Sequence, residues 1–443
     1  PALSDAKAFL LDIKYSGEDF TSKIARVREW MRENNTTTHI LTSLDDIAWL
    51  FNIRGGDIKY NPVVLSYAVI TLDKAILFVD ENKLNDEIKT SFGEEVVEIK
   101  NYFEIYEFVK TINKEEIVLI DSNKISYSIL KNIPAGVKVV NGMNPSTKFK
   151  AQKNSVEIEN TKKAHIRDGV AVTKFMYWLK NNIGKIEITE LSAADKITEL
   201  RREQGKFIEE SFGTIAGYAS NGAIIHYSVT KESNTTLKDR GLFLLDSGGQ
   251  YFDGTTDITR TFALGELTKE EKYHFTTVAR AMIRLSDVKF LHGVNGYYLD
   301  ILARGILWNE GLNYNHGTGH GVGHVLNVHE GPNGFRLDNK ESAILEEGMI
   351  TTNEPGFYKA GSHGIRLENE MLCVKGEKNE FGQFMEFEPI TIAPIDLDAI
   401  NVELMKEDEK AYLNEYHKMV FDTVSPFLTT EETNWLKEYT RAI

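Results

Sequence analysis

Beyond residue 150 one order of elements is written twice, and that repetition constrains the fold more than any single motif. The first pass reads as a helix over 157–180, a helix over 192–204, then strands in NGAIIHYSV, GLFLLDSG and DGTTDITRTF. The second reads as a helix over 269–291, a helix over 299–309, a histidine-rich segment, then GMITTNEPG and GIRLENEMLCV. Apolar residues near a 3.6-residue period set the helices; short apolar or alternating runs bounded by glycine set the strands. Each pass closes on two strands joined through a glycine-containing turn, with two acidic residues at the heart of the pair. Element order, more than residue identity, carries this candidate internal duplication.

Before residue 150 the pattern is different. SKIARVREWMREN places Ile24, Val27, Trp30 and Met31 at helical spacing, THILTS follows as a strand, and 45–51 reads as a helix. SYAVITLDKAILFVD is two apolar runs across Asp73-Lys74, a hairpin pattern. EEIVLID, a helix over 126–131 and VKVVNG complete a mixed α/β domain over 15–150, and NPSTKFKAQKNS reads as the polar connector that ends it. Single cores stop growing near ~250–300 residues, so a chain of 443 residues divides into at least two domains.

Composition removes several function classes. A net charge of −15 argues against a nucleic-acid partner, which calls for clustered Lys and Arg, and suits a cationic ligand such as a peptide with a free amine. No apolar run reaches the ~18 residues of a membrane span, so no membrane partner is expected. Cys373 is the only cysteine, which rules out an intrachain disulfide and fits a reducing compartment. Flanked by Leu372 and Val374, it reads as a core residue.

The chemistry gathers on the acidic residues. GLFLL runs into Asp246, and a carboxylate at the end of an apolar strand is costly unless paired, hydrogen-bonded or bound to a cation. In DGTTDITRTF the two-residue period puts Asp257, Thr259 and Thr261 on one face, opposite Ile258, Arg260 and Phe262. The second pass offers Glu354 after GMITTN and Glu368 inside GIRLENEMLCV, where alternation sets Arg366 beside the carboxylate as a group that orients a ligand. NHGTGHGVGHVLNVHEG holds His316, His320, His324 and His329, four of eleven histidines. Two Asp, two Glu and one His match two divalent cations in charge, and the imidazole tilts the choice toward Mn, Co, Zn or Fe. Bridged ions ~3.5–4 Å apart ionise a shared water, which is metal-assisted hydrolysis. Residue types alone leave a metal cage, proton-transferring histidines and a polar loop all open.

DSGGQYFDGTTDITRTF, HGTGHGVGHVLNVHEGP, TTNEPGFY and GIRLENE, in this order, resemble the signature segments of aminopeptidase P, in the cytosolic X-prolyl branch of the creatinase/methionine-aminopeptidase (pita-bread) superfamily. The likeness extends upstream through NGAIIHYSV and DDIAWLFNIRGGDIKYNPVVLSYAVI. It implies an α/β N-terminal domain, then an α+β pita-bread catalytic domain over 151–443 with a pseudo-twofold internal duplication. It also implies a dinuclear centre, usually two Mn²⁺ with Co²⁺ or Zn²⁺ as alternatives, held by Asp246, Asp257, His320, Glu354 and Glu368. Asp257 and Glu368 would bridge, Asp246 would complete one site, and His320 with Glu354 the other. Glu354 would also move the proton of the shared hydroxide, acting with His226 and His329 as catalytic groups. His226, His316 and His329 would line the substrate pocket.

His324, which the resemblance does not ask for, is left as a polar-loop residue, and His363 is unassigned. The step of nine residues from His320 to His329 is the spacing expected of the cytosolic branch. That branch carries two α/β domains ahead of the catalytic one, so residues 1–14 read as a connector from a preceding domain. The implied activity is release of the N-terminal residue from peptides with proline second, by a homodimer joined through its catalytic domain in the cytoplasm. Two alternatives stand beside it: a prolidase limited to Xaa-Pro dipeptides, and a non-catalytic pita-bread binding module.

Overall fold

Three apolar runs, THIL, SYAVIT and AILFV, make the centre of a six-stranded mixed sheet in the N-terminal part of the chain. Its spatial order is Glu98–Lys100, Ala75–Val79, Ser66–Thr71, Thr38–Leu41, Ile117–Ile120, Lys138–Asn141. Ser66–Thr71 and Ala75–Val79 form the antiparallel hairpin expected across Asp73-Lys74, and the Thr71 hydroxyl accepts from the Lys74 N–H at 2.9 Å. The strands Ile117–Ile120 and Lys138–Asn141 run parallel across the helix Tyr127–Asn132, as a helical crossover demands. Ile40, Val69, Phe78, Val118 and Ile129 form a buried cluster there. The helix Phe20–Glu33 starts on Asp19, whose carboxylate accepts from the Ser22 N–H, and buries Ile24, Val27 and Met31 as their spacing predicts.

In this computed structural model the described residues are 3–93, 96–338, 340 and 342–443, and they fall into two compact units, Pro1–Glu157 and Ile158–Ile443. Two stretches of the first unit differ from the sequence reading. Within the expected connector 1–14, Ala8–Leu10 pairs antiparallel with Ile53–Gly55. NPSTKFKAQKNS contains the helix Pro145–Ala151 with proline at its first position, where a missing N–H costs nothing. Its Lys150 is buried against Asp45 at 3.1 Å, a partner that polarity alone does not reveal.

The second unit uses its plan twice, as the element order predicts. In the first half the helices Ser155–Asn182 and Glu190–Glu203 accompany an antiparallel sheet ordered Ile215–Tyr218, Leu242–Ser247, Ile258–Ala263. Phe175, Leu179, Ile197, Phe243 and Phe262 fill the core between them. In the second half Lys269–Ser286 and Gly296–Asn309 accompany a sheet ordered Phe290–Leu291, Gly382–Pro389, Asn369–Asn379, Ile350–Asn353. Phe275, Val278, Met282, Ile365, Leu413 and Val420 form its core, the last two from the helix Glu407–Val424. Arg260, fully buried in a first-half strand, donates to the carbonyls of Glu368 (2.5 Å), Ala393 (2.9 Å) and Pro394 (3.0 Å), and so ties the halves together.

Two further expectations are corrected. NGAIIHYSV is not a strand: Ala219–Ala223 is a 3₁₀ turn and the residues after it form a loop. GIRLENEMLCV is not continuous, since His363–Arg366 and Asn369–Asn379 belong to different sheets, with Leu367 and Glu368 at the break. Cys373 is buried as expected, and burial pushes its thiol up to about 12. Among the described residues no helix is long and apolar enough to cross a membrane.

His39 makes the first unit sensitive to acid. It is fully buried in the strand Thr38–Leu41, and lost hydration pulls its pKa from an ordinary 6.5 down to about 4. The folded state therefore favours the neutral ring, so this contribution is complete above pH ~6.5 and is lost as pH falls toward 4. At pH 5 the loss is about 2 kcal/mol. Urea unfolding followed by amide exchange of the first unit is expected to show that loss between pH 7 and 5, and His39→Leu is expected to remove it. An unchanged pH dependence in the variant contradicts the assignment.

Candidate metal centre

Each of the acidic side chains Asp246, Asp257, Glu354 and Glu368 stands at or beside a strand end or a strand break. Asp246 lies one residue from the end of Leu242–Ser247, and its cross-strand partner is Thr259. Asp257, two residues before Thr259, therefore faces the same way. Glu354 directly follows Ile350–Asn353, with its N–H bonded to the Thr318 carbonyl at 2.8 Å. Glu368 occupies the break in GIRLENEMLCV, where its N–H reaches the Thr259 carbonyl at 3.1 Å and one carboxylate oxygen accepts from the Thr259 hydroxyl at 2.8 Å. That break turns a second-half carboxylate onto the first-half strand carrying Asp257.

His320 comes from a two-stranded pair, Gly319–His320 with Gly334–Phe335. The glycines beside it are required by close backbone approach. A Cβ at Gly319 would collide with the Thr352 carbonyl, and one at Gly321 with the Glu330 carbonyl. That packing lets the histidine strand lie directly against the strand leading to Glu354.

The five groups converge. The Nε2 of His320 stands 3.3 Å from Asp257 Oδ2 and 3.6 Å from Glu354 Oε1. Two overlapping triplets, Asp246/Asp257/Glu368 and His320/Glu354/Glu368, bring their ligand atoms within 4.8 Å of one another, and Asp257/His320/His329 form a third. The Nδ1 of His320 lies 2.9 Å from the Gly321 carbonyl, a contact that fixes the ring with Nε2 turned toward the carboxylates. An imidazole nitrogen set among carboxylate oxygens calls for a cation or a proton between them. Asp246 Oδ1 is buried with no hydrogen-bond partner. Hard oxygen donors, one imidazole and an orphaned carboxylate oxygen fit divalent ions of the Mn, Co or Zn type.

The electrostatics point the same way. Burial first, then the neighbouring charges of Asp246, Glu354 and Glu370, hold the Asp257 carboxyl well above the usual carboxylate range. Glu368 is raised likewise by burial and then by Asp257, Glu354 and Asp246. Glu354 is raised by burial, against the opposing pull of His320 and Arg366. Arg366 is the buried cation of this cluster: it donates to Asp246 at 2.5 Å, to the Tyr358 hydroxyl at 2.7 Å and to Thr259 at 3.2 Å. Its sequence neighbour Glu368 is not the carboxylate it pairs with, because the break at 367–368 rotates the two apart. One guanidinium cannot balance four carboxylates.

Around this cage lies a cleft of about 670 Å³ lined by His226, His316 and His329 together with Phe212, Ile215, Ile225 and Tyr227. His316 carries its proton on Nδ1, 2.7 Å from the Gly317 carbonyl, and its Nε2 accepts from the Tyr358 hydroxyl at 2.9 Å. Burial, then the nearby Arg366 charge, depresses its pKa to about 3, so the ring is neutral. His329 opens onto the cleft with its ring centroid 4.1 Å from that of His320, and its pKa falls to about 4 through lost hydration and then the His320 ring.

His324 is no polar-loop residue: it is buried and bonded to the Thr161 hydroxyl at 3.0 Å. His363 is buried against His274, Nε2 to Nδ1 at 3.0 Å, and is turned away from the carboxylates. Tyr358, Tyr227 and Arg336 also line or border the cleft, and no periodicity or spacing in the sequence marks them. Glu370, three residues before Cys373 in the strand Asn369–Asn379, also belongs to the surroundings of the site. It accepts the Asp257 N–H at 2.7 Å and lies 3.2 Å from the buried His165.

Comparison with known proteins adds to this geometry. Residues 1–157 match the family described as the Creatinase/Prolidase N-terminal domain, 159–375 match Metallopeptidase family M24, and 383–443 match the C-terminal region of peptidase M24. The chain is 40% identical to a probable Xaa-Pro aminopeptidase P of Coprinopsis cinerea, covering 100% of this chain and 74% of that protein. It is 40% identical to Xaa-Pro aminopeptidase 1 of Dictyostelium discoideum, covering 97% of this chain and 70% of the other. Among solved structures, X-prolyl aminopeptidase from Caenorhabditis elegans, described as a cytosolic enzyme with a di-nuclear active site, superposes with a TM-score of 0.95 at 34% identity. It covers 100% of this chain, which spans 74% of that one.

Metal binding is expected to register as stability. Adding Mn²⁺ to chelator-treated protein should raise the melting temperature, because a ligand at a hundredfold its Kd adds about 2.7 kcal/mol. Asp257→Asn and Glu368→Gln should lose most of that gain. A full gain in both variants rules the cage out.

Proposed function

From the premise that the chain belongs to metallopeptidase family M24, in its Xaa-Pro aminopeptidase P branch, we propose that this cleft releases the N-terminal residue of peptides whose second residue is proline. The observation that carries the reading is the convergence of Asp246, Asp257, His320, Glu354 and Glu368 on one point at the floor of a cleft with three histidines in its walls.

In this reading Asp246, Asp257, His320, Glu354 and Glu368 would hold two divalent ions, with Asp257 and Glu368 serving both, Asp246 one, and His320 with Glu354 the other. Mn²⁺ is the proposed occupant, with Co²⁺ or Zn²⁺ as substitutes. Ions held there would supply Lewis acidity toward the scissile carbonyl and would ease ionisation of the attacking water. Glu354, whose carboxyl is raised by its surroundings, takes the proton of the attacking water and returns it to the proline nitrogen as that bond breaks. His329, neutral and facing the cleft, supports the carbonyl oxygen as charge builds on it. Arg366 holds Asp246 in orientation and, through Tyr358, holds the His316 ring.

The preference for proline follows from what an Xaa-Pro bond lacks. It is a tertiary amide with no N–H to grip and a ring in its place. Recognition then depends on packing the pyrrolidine, for which His226 and His316 with Phe212, Ile215, Ile225 and Tyr227 form the wall. The many carboxylates of the cleft suit the free amine of the substrate. The reading extends to a homodimer joined through the catalytic unit and to the cytosol, the compartment named for the C. elegans enzyme.

Chelation is expected to abolish release of the first residue from an Ala-Pro-containing tripeptide, and Mn²⁺ to restore it, with Asp257→Asn inactive although folded. Wild-type turnover in that variant refutes the reading, and activity confined to Ala-Pro dipeptide converts it to a prolidase. Tyr358→Phe removes the hydroxyl between Arg366 and His316 and is expected to lower kcat/KM about 10–100-fold with bound metal unchanged. Unaltered kcat/KM removes Tyr358 from the mechanism.

A further inference from the structure

Glu190 is a fully buried carboxylate that the chemistry above does not use. It is the first residue of the helix Glu190–Glu203. Burying a carboxylate is costly unless it is paired or hydrogen-bonded, and here hydrogen bonds from one segment do the work. The Tyr218 N–H donates to Oε1 at 2.7 Å, and the Asn221 amide donates to the same oxygen at 3.0 Å. The Tyr227 hydroxyl and the Thr235 N–H each donate to Oε2 at 3.0 Å. The entrance, middle and exit of residues 218–235 are thus fastened to a single side chain.

The backbone around Glu190 completes the fastening. Its own N–H reaches the Thr235 carbonyl at 3.1 Å, the Leu191 N–H reaches the Asn234 side chain at 3.0 Å, and the Leu237 N–H reaches the Ile188 carbonyl at 2.8 Å. This segment carries Ile225, His226, Tyr227 and Ser228, which line the cleft. Among the described residues His226 makes no hydrogen bond of its own, and it faces solvent in the cleft. Its neighbour Tyr227 is buried, with the hydroxyl on Glu190. The segment also holds Ala219 at φ +49°, a left-handed conformation that a residue with a Cβ keeps only when its surroundings enforce it.

We propose that Glu190 is the positioning residue for the proline-accepting wall: it fixes where His226 and Tyr227 stand and thereby sets the preference for proline at the second position. The proposal rests on the reading of the cleft given above. A carboxylate offers about four acceptor sites on two oxygens, and four donors use them. Glutamine would turn an NH₂ group against two of those donors. Aspartate, one methylene shorter, does not span both sides.

The test uses the full chain loaded with Mn²⁺ and compares Glu190→Gln, Glu190→Asp and Tyr227→Phe with wild type. It reads bound metal, kcat and KM on Ala-Pro-Ala and Ala-Ala-Ala, and amide exchange. Glu190→Gln is expected to keep its metal, to raise KM for Ala-Pro-Ala about tenfold with a smaller change in kcat, and to lose about tenfold in proline-over-alanine preference. Exchange should quicken over 218–235 and stay slow over 242–263. Glu190→Asp and Tyr227→Phe should move in the same direction by two- to fivefold. Wild-type KM and preference in Glu190→Gln overturn the proposal, however much its melting temperature falls. If that variant does not fold, wild-type values in Tyr227→Phe overturn it. If wild type shows no proline preference, the reading of the cleft fails, and the exchange pattern of Glu190→Gln still decides whether Glu190 holds the wall.

Discussion

Four carboxylates crowded into one buried space repel one another, and most of the second unit is organised around that repulsion. At an effective dielectric near 20, two unit charges ~4 Å apart interact by about 4 kcal/mol, several times the net worth of an ordinary hydrogen bond. With Arg366 as the balancing cation, burial and the neighbouring charges raise the carboxyls of Asp257, Glu354 and Glu368, which stand with Asp246. The fold nevertheless brings them in from both halves and fixes each by its backbone: Asp246 in the ladder between Ile215 and Thr259, Glu354 on Thr318, Glu368 on Thr259, and Asp257 on Glu370. A structure that spends hydrogen bonds on holding like charges together is built for cations to complete it, so folding and metal binding are parts of one equilibrium.

The buried arginines divide the labour. Arg260 bonds almost wholly to carbonyl oxygens, among them that of Glu368, and fixes the backbone where the halves meet. Arg366 bonds to side chains of the site, Asp246 and Tyr358, and orients them. Both use the fan of donors that a guanidinium offers and an ammonium does not. Behind Asp257, the pair His165 and Glu370 adds a further layer that steadies a ligand from its main-chain side.

What was legible in the sequence was whatever has a period or a sharp chemical contrast. The apolar run into Asp246, the alternation through Asp257, Thr259 and Thr261, and the doubled element order all survive in the structure because burial enforces them. What was not legible depends on partners far along the chain. NGAIIHYSV has the apolar content of a strand, yet Glu190 captures the N–H of Tyr218 and the hydroxyl of Tyr227, and the segment curls into a turn and loop. The helix Pro145–Ala151 is polar by composition and is buried through Lys150 and Asp45. Continuity through GIRLENEMLCV looked safe by alternation, but the demand that Glu368 reach Thr259 breaks it.

The four histidines of one segment show how far local backbone decides what a side chain does. His316 and His320, four residues apart in HGTGHG, each place Nδ1 against the carbonyl of the following glycine, which turns both Nε2 atoms the other way. The same device then meets different surroundings. Arg366 reaches Tyr358, whose hydroxyl fills the lone pair of His316 and makes that ring a fixed part of the wall. The Nε2 of His320 instead faces Asp257 and Glu354, and that is what fits it to be a ligand. His324, one further step of four along, is carried into the interior and bonded to Thr161. His329 stands edge-on to His320, open to the cleft and neutral. A motif of histidines at four-residue steps thus does not by itself specify a metal site. The specification lies in which carbonyl takes the Nδ1 proton and in what the opposite nitrogen is left to face.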